Sequence, residues 1–239
     1  MNVLSETVEM LKQFKDFSLF SELGGIIQRL EDKVYTEKTK QSSIIHLDKN
    51  ENLKGLEHLD VLYQAILKKL CLTITYQSFK AAEPTATVFH PFLLKEYNNR
   101  WFIVGKKKKS ANIITFALDR IHSIEYNLDV PYVDEEFDGD DYYSHTIGVT
   151  VLPKKHVKDV VLRVDTSNAP YVITKPFHSS QEILEHEGGG GIVIKLRVDH
   201  NYELERMILG FGETIEVIKP RNLRYRIKKK LEVAALIYE

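Results

Sequence analysis

The sequence predicts an α+β protein in which two small antiparallel sheets follow a helical N-terminal region. Three observations carry this prediction. Apolar residues recur at helical spacing before Leu72, they alternate with polar residues after it, and a second alternating pattern begins near residue 148. A chain of 239 residues is long enough for two or three small domains.

Residues 1–70 are predicted to form a helical linker region. Apolar residues recur at helical spacing in two stripes: Val8, Leu11, Phe14 and Phe17, and then Leu59, Leu62, Tyr63, Ile66 and Leu70. The polar stretch Thr36–Gly55 between them predicts a long connection, with a short strand at Ser43–Leu47.

Residues 71–133 are predicted to form a five-stranded β-barrel of the SH3 or Sm type. Alternating or apolar runs predict strands at Leu72–Tyr76, Val88–Leu94, Trp101–Gly105, Ile113–Leu118 and Ile121–Tyr126. Pro91 indicates an edge or a bulge, and Asn98-Asn99 is a turn signal. The run Lys106–Lys109 is interpreted as a charged turn that follows Gly105, and Trp101 as a core residue. Short strands joined by short turns favour a small twisted barrel.

Residues 134–147 are predicted to be a solvated acidic linker, because Asp134–Asp141 holds six acids that repel one another. Residues 148–239 carry strand-like runs at Val160–Val164, Gln181–His186, Ile192–Val198 and Thr214–Ile218, with helices at Ser167–Thr174 and Tyr202–Leu209. A last helix opens at Pro220 and bears Leu223, Ile227, Leu231 and Ala234 on one face. This order predicts a ferredoxin-like βαββαβ domain.

Bulk properties exclude several function classes. The net charge of −1 means that any contact with nucleic acid has to come from a local basic patch. The lone Cys71 cannot form an internal disulfide, and no membrane span or secretory signal is found, so a cytoplasmic protein is expected. Gly188–Gly191 lacks the Lys-Ser/Thr of a phosphate loop, and the histidines His178 and His186 have no zinc-site partners. We expect no enzyme, no cofactor and no metal.

The ordered motifs of the chain resemble a WYL domain followed by its C-terminal WCX extension. Trp101-Phe102-Ile103 stands where the family has its Trp-Tyr-Leu triplet, after His90–Leu94 and before Leu118-Asp119-Arg120-Ile121. Leu209–Gly212, Glu216–Pro220 and the helix that ends at Tyr238 resemble the close of the extension, and Pro176–Gln181 resembles a Bacteroidetes-like subgroup. The resemblance runs from about residue 57 to residue 239.

The resemblance implies the sensing part of a bacterial transcription regulator. Its WYL barrel would bind a nucleotide or a single-stranded nucleic-acid fragment, and the protein would be a homodimer that does not contact membranes. The helix-turn-helix that usually precedes the linker is absent from this chain, so promoter DNA is expected as a partner only if such a domain lies upstream. The alternative is a protein-interaction accessory factor that does not read DNA.

The candidate ligand-binding residues are Tyr76, His90 and Arg120, which we expect to converge on one cationic hollow, with Lys95 and Arg100 as a basic rim. Arginine offers a planar fork of donors to phosphate, and an aromatic ring offers a face to a base. The alternatives are a structural Arg120 paired with Asp119, a core Tyr76 and an ordinary His90. Thr87, Ile114 and Ala117 stand where many members carry arginine. His178, Ser180 and Gln181 are a possible secondary site, or else a capped loop.

Overall fold

A computed structural model describes residues 54–108, 110, 112–153 and 157–239 of the chain. The predictions for the first helical stripe, from Val8 to Phe17, and for the strand at Ser43–Leu47 lie outside these described residues. The chain divides into two units, one ending at Glu136 and the other beginning at Phe137. The prediction of an α+β chain with two antiparallel sheets is confirmed.

The first unit is one helix on a five-stranded antiparallel sheet. Helix α1 spans Leu59–Leu67, and the strands are β1 (Leu72–Tyr76), β2 (Thr85–Tyr97), β3 (Arg100–Lys107), β4 (Ile113–Ala117) and β5 (Ile121–Tyr126). Their order across the sheet is β4-β3-β2-β1-β5. A short 3-10 turn, Leu118–Arg120, joins β4 to β5.

Local chemistry explains the shape of the long strand β2. The register with β3 shifts between Pro91 and Leu93, which confirms the predicted bulge. Asn98 and Asn99 both have positive φ, as a tight hairpin turn between β2 and β3 requires, so the predicted turn is also confirmed. Strand β3 continues two residues beyond Gly105, because Lys106 and Lys107 pair with β2. The prediction that all four lysines of the run 106–109 belong to a turn was therefore wrong for these two.

The apolar face of α1 packs on the sheet and fixes the 3-10 turn. Leu59, Leu62 and Ala65 are buried with core residues of all five strands. Gly55, just before the helix, has φ +87°, and a Cβ there would lie 2.4 Å from the carbonyl carbon of Leu118. Glycine is thus required at this position, where the chain entering α1 presses against the turn that carries Arg120.

The second unit contains four strands and four helices in the described residues. The helices are α2 (Gly139–Tyr143), α3 (Ala169–Thr174), α4 (Tyr202–Gly210) and α5 (Arg221–Ala235). The strands are β6 (Lys158–Val164), β7 (Glu182–His186), β8 (Ile192–Val198) and β9 (Ile215–Lys219), in the order β7-β8-β6-β9, with every pairing antiparallel.

The apolar face predicted for the last helix is buried only in part. Leu223 and Ile227 of α5 are buried, but Leu231, expected on the same apolar face, is 40% exposed and Ala234 is exposed as well. The core of the unit extends over only the first half of α5.

The acidic segment after the first sheet is less free than its charge suggests. Asp134 forms an ion pair with Lys69 at 2.5 Å, and Glu135 forms one with Lys106. The carboxylate of Asp138 accepts hydrogen bonds from two backbone N–H groups at the start of α2. Three of the six acids thus make contacts within the chain, although their side chains remain exposed to solvent. No helix in the described part of the chain is long and apolar enough to cross a membrane.

Candidate functional site

An aromatic pair with a lysine above it lies on the core side of the first sheet. The ring of Tyr76, at the end of β1, stacks on the ring of Phe116 from β4, with centroids 4.2 Å apart. The ammonium of Lys107 lies 5.6 Å from the centroid of Phe116, within the range of a cation–π interaction. Tyr76 is half-buried at the edge of the core, so part of its ring is packed against core residues.

Arg120 lies beside this pair. Strand pairing places Tyr76 opposite Ile121, and the backbone N–H of Gln77 donates to the carbonyl oxygen of Arg120 across 3.1 Å. The guanidinium carbon of Arg120 is 3.9 Å from the centroid of the exposed ring of Phe79. Its Nε is buried and makes no hydrogen bond within the described residues. Arg120 therefore faces an aromatic ring and not a polar partner at close range.

One carboxylate lies between two arginines at this position. Asp119 Oδ2 is 3.4 Å from Nε of Arg100, and Asp119 Oδ1 is 4.0 Å from Nε of Arg120. The second distance is at the limit of an ion pair, so Asp119 holds Arg120 only weakly. A single carboxylate cannot neutralise two guanidinium groups, so Asp119, Arg100 and Arg120 together carry an excess of positive charge.

The two predicted rim residues lie in the hairpin of β2 and β3. Lys95 is half-buried and pairs with Phe102, whereas Arg100 is exposed at the first position of β3. The contact of Arg100 with Asp119 shows that this end of the hairpin lies next to the 3-10 turn. The structure thus brings Tyr76, Arg100 and Arg120 into one neighbourhood.

His90 does not belong to this neighbourhood, so the expectation that it converges with Tyr76 and Arg120 was wrong. Leu72, at the first position of β1, pairs with Phe89, whereas Tyr76 ends that strand, so His90 lies at the opposite end. Phe89 points into the core, and its neighbour His90 therefore points to the other face of the sheet. Burial lowers the pKa of His90, and the nearby cations of Lys106 and Lys108 lower it further.

The polar side chains predicted as a secondary site in the second unit form hydrogen bonds in and near the loop that contains them. Nδ1 of His178 accepts from the backbone N–H of Ser180 at 3.1 Å and lies 2.8 Å from its hydroxyl. The amide of Gln181 donates to the carbonyl oxygen of Val172 and accepts from the backbone N–H of Phe177. These contacts match the capped-loop interpretation.

Three residues of the site were missed in the sequence. Lys107 was assigned to an exposed turn, although its alternation with Gly105 is a signal that it continues the strand on the core side. Phe79 and Phe116 were not singled out as aromatic partners of cations. No signal in the sequence pairs Phe79 with Arg120, because their contact depends on how β1 meets the 3-10 turn.

We call Tyr76, Phe79, Lys107, Phe116 and Arg120 the cation–aromatic cluster. Two side chains carry fixed positive charge, and three rings present flat apolar faces. Phosphate groups and stacked bases are the ligands that such a set of groups suits. No group of three or more potential metal ligands exists among the described residues, and the thiol of Cys71 is buried with a raised pKa.

The fold consists of two small α+β units, the first of which carries the cation–aromatic cluster. Comparison with protein families places the chain more narrowly. Residues 57–126 match the WYL domain, and residues 156–235 match the WCX domain. The chain therefore belongs to the family of proteins in which a WCX domain follows a WYL domain.

Two solved structures resemble the chain at low identity. The first is the proteasome accessory factor B/C (PafBC) of Arthrobacter aurescens, with 19% identity, a TM-score of 0.33 and 80% of this chain covered. The second is a CRISPR Cas-related protein, with 10% identity, a TM-score of 0.47 and 77% of this chain covered. The alignments span only 28% of the first protein and 52% of the second. No curated protein matches the sequence.

Proposed function

We propose that the chain is the sensing part of a transcription regulator and that the cation–aromatic cluster binds a nucleotide or a short single-stranded nucleic acid. One observation carries this proposal: the guanidinium of Arg120 has only a weak ion pair and a buried Nε without a hydrogen bond, and it lies beside the ring of Phe79. A guanidinium accommodates phosphate through its edge while its face stays on a ring.

Surplus charge supports the same proposal. Asp119 is shared by Arg100 and Arg120, and Lys107 adds a further cation above Phe116. Thr87, Ile114 and Ala117 lack the arginines found in many members, so Lys107 supplies positive charge that those positions do not. Lys95 and Arg100 form the outer rim in this proposal. His90 is left out of the ligand site.

The finer architecture belongs to the proposal as well. The bulged, 13-residue β2 would let the first sheet close into an SH3/Sm-like barrel over residues 71–133. The strand order β7-β8-β6-β9 is that of a ferredoxin-like domain, assigned to residues 148–239. Such a protein would act in the cytoplasm as a homodimer without catalysis, and promoter DNA would be its partner only if a helix-turn-helix lies upstream of these domains.

Titration of a fluorescein-labelled thymidine octamer tests the ligand class. Fluorescence anisotropy at about 50 mM salt favours detection of phosphate contacts. Arg120→Ala is expected to weaken binding about tenfold, whereas the control Arg206→Ala, at an exposed position of α4, should bind like wild type. Equal affinity of the Arg120→Ala and Arg206→Ala variants would remove Arg120 from the site.

A further inference from the structure

The ring of Phe79 is exposed, in a segment that Gln77 links by hydrogen bonds to its surroundings. Phe79 is 78% exposed, in the segment between β1 and β2. The side-chain amide of Gln77 donates to the carbonyl oxygens of Ala81 and Ala82, at 3.2 and 3.0 Å. The Oε1 of the same amide lies 3.1 Å from Nε2 of His122 on β5. The side chain of Gln77 therefore links the segment that contains Phe79 to β5.

The ring of Phe79 contributes little to the stability of the fold. An exposed cation–π contact contributes about 0.5–1 kcal/mol, and a ring with so much of its surface in water contributes little apolar burial. Removing the ring would leave no internal cavity, so the chain has no packing reason to keep a phenylalanine here. A large apolar side chain that is exposed and lies over a cation is suited to contact a ligand.

The position of Phe79 specifies what part of a ligand it meets. The guanidinium carbon of Arg120 lies over the ring of Phe79 at 3.9 Å, so a phosphate would have to bind the guanidinium through its terminal nitrogens. A nucleotide that places its phosphate there brings its own base within reach of the outer face of Phe79. Stacking on an aromatic face is the usual way in which proteins hold unpaired bases.

We propose that Phe79 is a base-stacking residue, so that the ligand is a single strand or nucleotide with an unpaired base and not a bare phosphate. This inference rests on the proposed function. It adds that recognition needs the base as well as the charge, and it assigns Gln77 the role of positioning Phe79.

The test compares two octamers of equal charge, one of thymidine and one of abasic sugar phosphates, by anisotropy. Phe79→Ala is expected to weaken binding of the thymidine octamer about tenfold and to leave binding of the abasic octamer unchanged. Phe79→Trp should restore the affinity for thymidine, because tryptophan also offers a stacking face. Leu128→Ala is the matched control, since Leu128 is 79% exposed in the same unit, and it should change neither affinity.

The outcomes separate the inference from the proposed function. If wild type binds thymidine and Phe79→Ala binds it as well or more tightly, the stacking role is wrong while the nucleic-acid site stands. If wild type binds both octamers equally, recognition does not involve the base and the inference fails. If wild type binds neither octamer, the proposed function fails and the inference fails with it.

Discussion

The backbone N–H of Val133 donates a hydrogen bond to Nδ1 of the buried His90 across 3.2 Å. A backbone N–H can only donate, so Nδ1 is unprotonated and the imidazole is neutral with its proton on Nε2. Tyr132, the residue before Val133, donates its hydroxyl to the carbonyl oxygen of Pro91 at 2.7 Å. These contacts fasten the segment that follows β5 across the bulge of β2, and protonation of His90 would remove one of them.

The first prediction is that the first unit loses stability in mild acid. Burial lowers the pKa of His90 from its usual value of about 6.5, so the folded chain takes up this proton at a lower pH than the unfolded chain does. The contribution of His90 is therefore complete above about pH 6.5 and is lost as the pH falls, by at most about 1.4 kcal/mol per pH unit. Urea unfolding followed by the fluorescence of Trp101, the one tryptophan of the chain, measures this loss.

A variant at the same position isolates the effect. Asparagine at position 90 keeps an acceptor for the N–H of Val133 but does not titrate, so His90→Asn should be less stable overall and nearly independent of pH between 5 and 7. His122→Asn, at an exposed histidine of β5, should keep the wild-type dependence. A wild-type slope in His90→Asn would show that another group causes the loss in acid.

The second prediction concerns the carboxylate between the two arginines. Asp119→Asn keeps the shape of the side chain and removes the charge that Arg100 and Arg120 share. A unit charge at about 4 Å is worth about 1 kcal/mol in water, so the thymidine octamer should bind about fivefold more tightly. Anisotropy at low salt measures the change. Weaker binding would mean that Asp119 is needed to orient the guanidinium groups and does not merely oppose the ligand.

The third prediction is that Lys107 contacts a phosphate of the ligand. For a single strand, the loss of one phosphate contact reduces the slope of log K against log salt by about 0.7. Lys107→Ala should show this smaller slope with the thymidine octamer over about 50–200 mM salt. Lys54→Ala, an exposed lysine before α1, serves as the control with an unchanged slope. Identical slopes in the two variants would mean that Lys107 contacts Phe116 but no phosphate of the ligand.

The strands were predictable from the sequence because their side chains alternate between a buried and an exposed face. The predicted bounds of Leu72–Tyr76, Ile121–Tyr126 and Ile192–Val198 match the structure. The pattern failed where the composition hides the alternation. In a run of four lysines no residue type indicates burial, so the composition hid the strand that the alternation with Gly105 continues through Lys107.

The site was less predictable than the fold, because it depends on register and on contacts between distant segments. Tyr76 and Arg120 are neighbours because β1 pairs with β5. The sequence predicted both strands, so their pairing was a reasonable expectation. The place of His90 depends on the register of β2 against β1, which no residue type reveals. A shift of one residue would have turned His90 to the other face of the sheet.

The fourth prediction is that Glu205 holds the last helix to the second unit. Its carboxylate, 9% exposed on α4, forms ion pairs with Arg226 at 2.5 Å and with Lys230 at 2.6 Å, both on α5. Both cations are about half-exposed and water can solvate them, so Glu205→Gln should cost about 1–3 kcal/mol and raise amide hydrogen exchange in α5 at least fivefold. Glu232→Gln, which breaks only an exposed pair within α5, should change exchange little. Equal exchange in both variants would mean that apolar contacts, and not the ion pairs of Glu205, hold α5 in place.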